Sequence, residues 1–479
     1  MSTFSGISTA LSSLMAQRQA LEVAGQNIAN ANTVGYTRQR ADITSIAGLS
    51  TPSMYSSVPS SGNGATVTGI SRLGDPFLDA RLRTATGTSA QLGVQAASYA
   101  NLESSVGEPS TTGLSSQLST MWSAWSDLAN NPDSAATRSV VLQDSQAVVD
   151  RLKTLYTSAS TEWSQSRSDL ASMASDVNTT ASSVADLNAK ILSITNAGGS
   201  ANELMDQRDQ LVTQLSSLTG ATARVRDNGT VDVLVGGNAL VDGARANAIA
   251  VTGAATFTNA TTSAPPANTV QVVWASNPAV QVPLSGGKVA GTLAVLAPPD
   301  ASGTGGMLTE AAASYNAVAT ALATTVNALH STGQDQNGNP AGTFFAVDAT
   351  QPAALGLSVA ITDTTKIAAA TTTGGIVDGS LADKISQLSS ASGSPDSAWS
   401  AFVVKLGVDS KSATARSTVA EAARSTAEGL QLAQTSVSTD EEATNMLTYQ
   451  RAYEGSARVL TAIDQMLDTL INRTGTVGL

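Results

Sequence analysis

The longest periodic stretch of the sequence runs from Leu142 to Ile191 and reads LQDSQAVVDRLKTLYTSASTEWSQSRSDLASMASDVNTTASSVADLNAKI. Apolar side chains recur in it every seven residues, at Leu142, Val149, Tyr156, Trp163, Leu170, Val177, Val184 and Ile191. An unbroken heptad pattern of this length predicts one long, rod-like helix that buries its stripe against a partner helix. The partner is either a second helix of the same chain, which we favour, or a helix of a neighbouring molecule.

The pattern changes on the C-terminal side of this helix. A shorter helix is predicted at 201–218. The residues from Ala223 to Val235 then alternate in polarity around Asp227-Asn228-Gly229, which is typical of a β-hairpin. Short strand-like runs continue to about residue 296, which predicts a small, mostly β domain at 221–300.

Both ends of the chain carry a narrower apolar stripe at helical spacing. The N-terminal stripe consists of Ile7, Leu11, Leu14, Leu21 and Ile28, and the C-terminal stripe consists of Met446, Tyr449, Tyr453, Leu460, Ile463, Leu467 and Leu470. A stripe this narrow is typical of a coiled-coil seam. Neither helix can bury its stripe alone, so the two pair with each other, with neighbouring molecules, or with both.

These patterns predict an α+β chain that is mainly α-helical, with long coiled-coil-like helices from both chain ends and an inserted mostly-β domain. A length of 479 residues suits about three domains. We expect a terminal helical coiled-coil layer from 1–45 and 435–479, a mainly helical middle domain from 46–220 and 301–434, and an inserted β-rich outer domain from 221–300.

Composition excludes several classes of protein. The net charge of −12 and the lack of a clustered basic face argue against a nucleic-acid partner. The sequence contains no cysteine, so disulfides and thiol chemistry are excluded. No apolar run suits membrane insertion. The N-terminus does not resemble a cleaved signal peptide, because no basic residue precedes Arg18.

Candidate catalytic and metal-binding residues are weak. His330 is the single histidine, and a lone histidine is far more often structural than a metal ligand. Asp335, Asn337 and Asn339 are spaced as in a calcium loop, but no closing glutamate follows, so a turn is favoured. We therefore expect no enzyme activity, no cofactor and no metal. The acidic pair Glu441-Glu442 is predicted in the first turn of the last helix, where its negative charge interacts favourably with the helix dipole. Thr439 or Asp440 is the expected N-cap of this helix.

Two terminal segments resemble flagellar rod, hook and junction proteins. The first is AGQNIANANTVGYTR, from Ala24 to Arg38, in which NIANANT is followed by GYTR. The second lies at the other end and includes DEE at Asp440–Glu442, NML at Asn445–Leu447 and YQRAY at Tyr449–Tyr453. The chain is therefore identified as similar to the axial protein superfamily of the bacterial flagellum.

Internal segments narrow the resemblance to hook-associated junction proteins. They are LMDQRDQL from Leu204 to Leu211, VNALH from Val326 to His330, NGNP from Asn337 to Pro340, and the pair Phe344-Phe345. The resemblance implies a structural subunit that joins the hook to the filament by self-assembly through its terminal helices. It also implies export without a cleaved signal peptide to an extracellular position at the hook–filament junction.

The partners that the resemblance implies are the hook protein, a second junction protein, copies of the same chain in a ring, and a cytoplasmic export chaperone at the C-terminal helix. The two terminal stripes are the expected assembly interface. We add Asn30, Asn32, Gly35, Tyr36 and Arg38 to it. A helix cap and loop is the alternative explanation for these residues, and the resemblance favours the interface. Residues 241–300 carry no motif on which the resemblance rests, and we expect that their deletion leaves assembly intact.

Two rival functions remain open at this point. One is another axial subunit, namely a hook, rod or filament protein, against which the Asp206-Gln207-Arg208-Asp209 segment argues. The other is a wall hydrolase carried by the flagellum, which would require clustered acidic or histidine side chains in a cleft.

Overall fold

The computed structural model describes residues 3–47 and 62–472. Residues 1–2, 48–61 and 473–479, which belong to the predicted terminal layer and middle domain, lie outside the described residues. The helices are α1 Thr3–Ala29, α2 Pro76–Val106, α3 Leu114–Asn130, α4 Ala135–Asn196, α5 Asn202–Thr219, α6 Phe257–Thr262, α7 Gly287–Val295, α8 Met307–His330, α9 Ala353–Gly356, α10 Ser380–Ser386, α11 Pro395–Thr435 and α12 Thr439–Asn472. Two short 3₁₀ turns occupy Thr364–Lys366 and Gln387–Ser390.

The strands are short and form small antiparallel sheets. They are β1 Gln39–Ser45, β2 Ala65–Arg72, β3 Thr222–Val225, β4 Val231–Val235, β5 Asn238–Asp242, β6 Arg245–Ala246, β7 Ile249–Thr252, β8 Gln271–Trp274, β9 Asn277–Gln281, β10 Gly333–Gln334, β11 Phe345–Val347, β12 Leu357–Val359 and β13 Ala370–Thr371. The largest sheet has the order β3-β4-β5-β6, and β7-β8-β9 form a second one. Long helices with these small sheets confirm the predicted mainly helical α+β class.

Helix α4 runs through the middle of the fold for 62 residues. From Val149 to Ile191 every member of the predicted heptad series is buried, and Leu142 is half-buried. The helices packed along it are α3, α5 and α8 of the same chain. The favoured interpretation of the heptad, an internal core, is therefore confirmed.

Two asparagines of α4 hold the sheets against the helix. Asn188 donates from Nδ2 to the carbonyls of Val231 (2.8 Å) and Gly243 (2.7 Å), and its Oδ1 accepts the Val231 N–H. Asn178 forms a matching pair of bonds with both backbone groups of Ile249. Because these polar side chains lie outside the apolar series, the heptad pattern predicts the helix but not how the sheets attach to it.

The predicted hairpin is present, with β3 and β4 paired antiparallel and Gly229 in the left-handed region at φ 81. The expectation of strand-like runs to about 296 is wrong for two segments. Residues Phe257–Thr262 form α6, and residues Gly287–Val295 form α7. Apolar side chains of α7 are buried, because the helix lies against α2 and α5 rather than in the sheet region.

Glycines allow α7 to approach its neighbours closely. A Cβ at Gly291 would lie 2.7 Å from the Gln91 carbonyl oxygen, and a Cβ at Gly287 would lie 2.4 Å from the Thr219 nitrogen. Trp163 of α4 adds a hydrogen bond of 3.3 Å from its indole to the Leu296 carbonyl. Residues 287–296 are thus part of the main core. Deletion of 241–300 would remove this part of the core. The division of the chain into three domains stays a prediction.

His330 is a structural residue, as predicted. Its Nε2 accepts the Ala368 N–H at 2.9 Å, so the proton lies on Nδ1, which donates to the Gly342 carbonyl at 2.8 Å. Burial lowers its pKa, which favours this neutral form. Within the described ranges, no three His, Asp or Glu side chains are grouped so that they could hold a metal ion.

The interpretation of 335–339 as a turn is confirmed. The Asp335 carboxylate accepts the backbone N–H groups of Asn337 and Asn339 at 2.9 Å each, and Lys366 Nζ lies 2.9 Å from its second oxygen. Burial raises the pKa of Asp335, but these donors outweigh it and bring the pKa down to about 2. The oxygens that calcium would need are therefore already engaged by the protein.

We expect Gly291→Ala to destabilise the middle of the molecule. The added Cβ collides with backbone rather than with a flexible side chain, and overpacking of this kind costs about 1–3 kcal/mol. The matched control is Gly407→Ala, since Gly407 of α11 has open space around its Cβ position. Replacing glycine there should stabilise the helix by roughly 0.5–1 kcal/mol. Thermal unfolding measures both, and equal midpoints for the two variants would contradict the close approach.

We expect the stabilising effect of Asp335 to depend on pH in a defined window. A carboxyl with a lowered folded pKa stabilises the fold above its unfolded value near 4, and the effect is lost as the pH falls toward 2. Asp335→Asn should therefore lower the unfolding free energy by about 1.5–3 kcal/mol at neutral pH. The gap between variant and wild type should close between about pH 4 and pH 2. A gap that is constant over this range would contradict the assignment.

Candidate assembly interface

The ends of the chain pair with each other. α1 and α12 run antiparallel. Each step of seven residues toward the C-terminus of α1 corresponds to a step of seven residues toward the N-terminus of α12. A Cβ on Gly6 would lie 3.0 Å from Ile463 Cδ1, Ser13 Oγ lies 3.0 Å from Ser456 Oγ, and Asn27 Nδ2 lies 3.1 Å from Glu442 Oε2. The heptad period predicted for the two ends is therefore present.

The phase of the α1 stripe differs from the prediction by one residue. The residues that face α12 are small, including Gly6, Ser13 and Ala20, and further alanines beside them are buried. The predicted residues Ile7, Leu14, Leu21 and Ile28 lie beside this line and are half-buried, while Leu11 is 51% exposed. Small side chains let two helix axes come close, but they contribute little to an apolar pattern, so the pattern pointed to their larger neighbours.

The C-terminal stripe is placed similarly. Ile463 is buried, whereas Met446, Tyr449, Leu460 and Leu467 are half-buried, and Tyr453 and Leu470 are exposed. Sequence reasoning missed several other exposed apolar side chains of the layer. We define the outer apolar set as Leu11, Met15, Leu447, Val459, Met466, Leu470 and Ile471, each more than half exposed. A monomer gains nothing from displaying so many large apolar side chains, so this set is a candidate contact surface.

The loop after α1 packs against the chain's own helices. Gly35 has φ 77, and a Cβ there would collide with the Gln210 side chain, whose Nε2 donates to the Val34 carbonyl at 2.6 Å. Asn30 donates to the Gln26 carbonyl at 3.0 Å and so ends the helix, while Asn32 is exposed. The cap-and-loop explanation thus accounts for Asn30 and Gly35 within one molecule.

Tyr36 and Arg38 contact buried polar groups at the base of the layer. The Tyr36 hydroxyl donates to Asn27 Oδ1 at 2.9 Å, and burial next to Glu203, Asp206 and Glu442 raises its pKa to about 12. Arg38 lies 2.7 Å from Glu442 and 2.8 Å from Glu441. Burial lowers the pKa of Arg38, but the two carboxylates outweigh it and raise the pKa overall.

The first turn of α12 differs from expectation in two ways. Its cap is Ser438, whose hydroxyl accepts the Glu441 N–H at 3.4 Å, and not Thr439 or Asp440. The Glu442 side chain is only 4% exposed, and its two oxygens accept from Arg38 and Asn27. The acidic pair therefore joins the two chain ends, a role that the helix dipole alone does not indicate.

The same region meets α5, which carries the Leu204–Leu211 segment. The Thr37 N–H donates to Asp206 at 3.1 Å, and Arg72 of β2 lies 2.8 Å from both Asp206 and Asp209. Three segments that lie far apart in the sequence, near residues 30, 206 and 441, are thereby brought together. The structure therefore gives Tyr36 and Arg38 intramolecular partners, and their place in an interface between molecules stays a prediction.

We expect Arg38→Gln to loosen the terminal layer. It leaves the buried Glu442 carboxylate without its cation, and breaking such a pair costs about 3–5 kcal/mol. Amide hydrogen exchange should rise in α1 and α12 and stay unchanged in α4. As the control, Arg38→Met combined with Glu442→Met removes both charges and should restore most of the protection. Equal protection in Arg38→Gln and wild type would contradict the role of this ion pair.

Three family models match the chain. The model described as flagellar hook-associated protein FlgK helical domain matches residues 99–345. The model described as flagella basal body rod protein matches residues 7–37, and the C-terminal model of the flagellar basal body rod FlgEFG proteins matches residues 432–473. The two terminal matches thus fall on α1 and α12.

Similar proteins agree with these matches. Flagellar hook-associated protein 1 of Bacillus subtilis is 28% identical over 512 residues, which cover 100% of this chain and 99% of that protein. The Escherichia coli protein of the same name is 28% identical over 73% of this chain, which spans 61% of its length. The solved flagellar hook junction protein FlgK of Burkholderia pseudomallei has a similar fold, with a TM-score of 0.62 at 18% identity, covering 76% of this chain and 100% of that one. Because the helical-domain model matches more than half of its residues, the chain belongs to the family of the flagellar hook-associated protein FlgK.

Proposed function

We propose that this protein is a structural subunit of the bacterial flagellum that joins the hook to the filament and works by self-assembly through its terminal layer. The observation that carries the proposal is the outer apolar set on the paired α1 and α12. The inner sides of these helices contact each other, whereas seven large apolar side chains of the layer stay more than half exposed. Burying one such side chain completely against a neighbour stabilises a contact by about 1.5–3 kcal/mol.

This surface and the family support the following partners as part of the proposal. Axial neighbours are the hook protein on one side and a second junction protein on the other, and lateral neighbours are copies of the chain in a ring. An export chaperone at α12 would cover the exposed Leu447, Val459 and Met466 before assembly. The protein would act outside the cell, at the hook–filament junction.

Tyr36, Arg38 and Asn32 contribute to the proposal differently. Tyr36 and Arg38 position the base of the layer through Asn27 and Glu442. Asn32, together with Val34 at 88% exposure, lies on the outside of the loop, where a neighbour could contact it. The proposed interface therefore consists of the outer apolar set and the tip of this loop.

A different axial position is the principal rival. The rod-type matches at both ends would suit a rod or hook subunit as well, but they cover only the terminal layer. The helical domain between them favours the junction. We propose a structural role and not a catalytic one, because the polar clusters described above are engaged in holding the chain together.

We expect Leu11→Glu to abolish joining while leaving the monomer folded. Leu11 is 51% exposed in the single chain, so a charge is tolerated there, but burying it against a neighbour would cost at least about 2 kcal/mol per subunit. Cells carrying the variant should export the protein, release flagellin into the medium and form no swarm. The measurements are swarm radius, flagellin in the culture supernatant, and far-UV circular dichroism of the purified protein.

The matched control is Val280→Glu, because Val280 is 47% exposed but lies on β9, away from the terminal layer. This variant should swarm like wild type. A wild-type swarm from Leu11→Glu would refute the proposal that the outer apolar set carries assembly.

A further inference from the structure

The terminal layer and the rest of the molecule have separate apolar cores. One cluster contains Ala20, Val23 and Ala41, with Val67, Ile70 and Tyr449 packed on it, and it lies wholly in the layer formed by α1, β1, β2 and α12. The other cluster extends along α4 from α3 to α8. Since neither cluster crosses between the two parts in the described residues, apolar packing does not fix their relative orientation.

Polar contacts join the two parts instead. Besides Thr37 and Asp206, Asn202 donates to Gln39 at 2.9 Å and to the Ile70 carbonyl at 3.0 Å. Cavities of about 440 Å³ and 380 Å³ flank these contacts. We call the region between the terminal layer and the rest of the molecule the joint. The chain crosses it through two short segments, 73–75 and 436–438. A joint with this construction can turn without disrupting either core.

Five charged side chains occupy the joint, and we name them the joint cluster: Arg72, Arg83, Arg208, Asp206 and Asp209. Arg72 comes from the layer, and the other four come from α2 and α5. The Arg72 Nη2 lies 2.8 Å from Asp206 Oδ1 and 2.8 Å from Asp209 Oδ2. Two carboxylates of the middle region are thus held by one guanidinium of the layer.

Arg83 has the longest ion-pair contact of the three arginines in the joint cluster, in which Arg72 Nε and Asp206 Oδ1 also lack a hydrogen-bond partner. The Arg83 side chain is 9% exposed, its Nη2 lies 3.8 Å from Asp209 Oδ1, and its Nε has no hydrogen-bond partner. Arg208, by contrast, donates to the Gly229 carbonyl at 2.7 Å and contacts Asp209 at 3.3 Å. Arg83 therefore lies beside Asp209 and close enough to bind it if Arg72 departs.

We propose that the joint cluster is an exchangeable ion-pair latch, in which Arg83 takes over Asp209 when Arg72 releases it, so that the terminal layer adopts a second orientation. Exchange matters because Asp209 Oδ2 would lose its cation, Arg72, while Arg208 stays on Oδ1, and a carboxylate oxygen without a partner in a half-buried site opposes opening. A spare guanidinium already within the cluster removes that obstacle for Asp209. Asp206 loses Arg72 and the Thr37 N–H together when the layer turns, and it then faces the 380 Å³ cavity that it lines.

This inference goes beyond the proposed function. The latch itself is argued from the contacts in the joint, and only its use in the flagellum rests on the proposed function. A subunit whose layer must fit one lattice while its outer part meets another needs a joint that can turn. Ion pairs beside an open cavity weaken as the salt concentration rises, whereas the two apolar cores do not. The orientation of the layer should therefore respond to ionic strength while both cores stay folded.

The test uses distances between two spin labels in the full chain, which contains no native cysteine. Thr448→Cys on α12 and Ser193→Cys on α4 are both exposed and lie on opposite sides of the joint. We expect a main distance and a second one, whose population rises about threefold between about 50 mM and 500 mM NaCl. Ser164→Cys with Ser193→Cys, both on α4, is the control pair and should stay near 43 Å, about 1.5 Å per residue.

Two variants separate a latch from an ordinary structural contact. Arg72→Gln should populate the second distance even at low salt. Arg83→Gln should reduce the population at the second distance at high salt, because only Arg208, on Oδ1, then remains beside the released Asp209 and its Oδ2 has no substitute cation. A purely structural Arg83 would give the opposite change. Arg224→Gln, which removes an exposed partner of Asp232 in the β region, should change nothing.

Two results would overturn the latch. One is a distance distribution that is identical at both salt concentrations. The other is a broad distribution at both, accompanied by unprotected amides in α1 and α12. Neither result bears on the swarming phenotype of Leu11→Glu, so failure of the latch is distinguishable from failure of the proposed function.

Discussion

The close approach of α1 and α12 determines how the chain ends are organised. Because Gly6, Ser13 and Ala20 face the partner helix, the two axes come near enough for their small side chains to fill the space between them. The larger Leu and Met side chains are consequently displaced to the flanks and the outside. The same register brings Asn27 to Glu442, so the polar base of the layer and its apolar exterior both follow from one line of small residues.

Much of the fold follows from periodicity, but the candidate site does not follow as directly. The α4 heptad and the hairpin around Gly229 are set by local patterns, and both are present. The phase of the α1 stripe was missed because alanine and serine carry almost no apolar signal. The role of Glu441 and Glu442 was missed because their partner, Arg38, is about 400 residues away, and no local rule links such positions.

The region from 221 to 300 shows that a change of sequence pattern does not by itself indicate a separately folded domain. Its strand-like runs suggested a separable insert, yet α7 is buried against α2 and α5, and Asn178 and Asn188 attach the sheets to α4. Glycine is the residue that permits this, since only a missing Cβ lets Gly291 lie against the Gln91 carbonyl. A sequence with many glycines and prolines can therefore be tightly integrated.

The two crossings of the joint also determine how mechanical load passes through the molecule. Segment 73–75 leads into α2 and segment 436–438 leaves α11, and these two helices pack along each other. A pulling force on the terminal layer is thus divided between the two covalent segments. A twist of the layer acts as two opposed forces on the packed pair α2 and α11. Torque is carried by covalent bonds in parallel, so the ion pairs between the two segments can rearrange without the connection being lost.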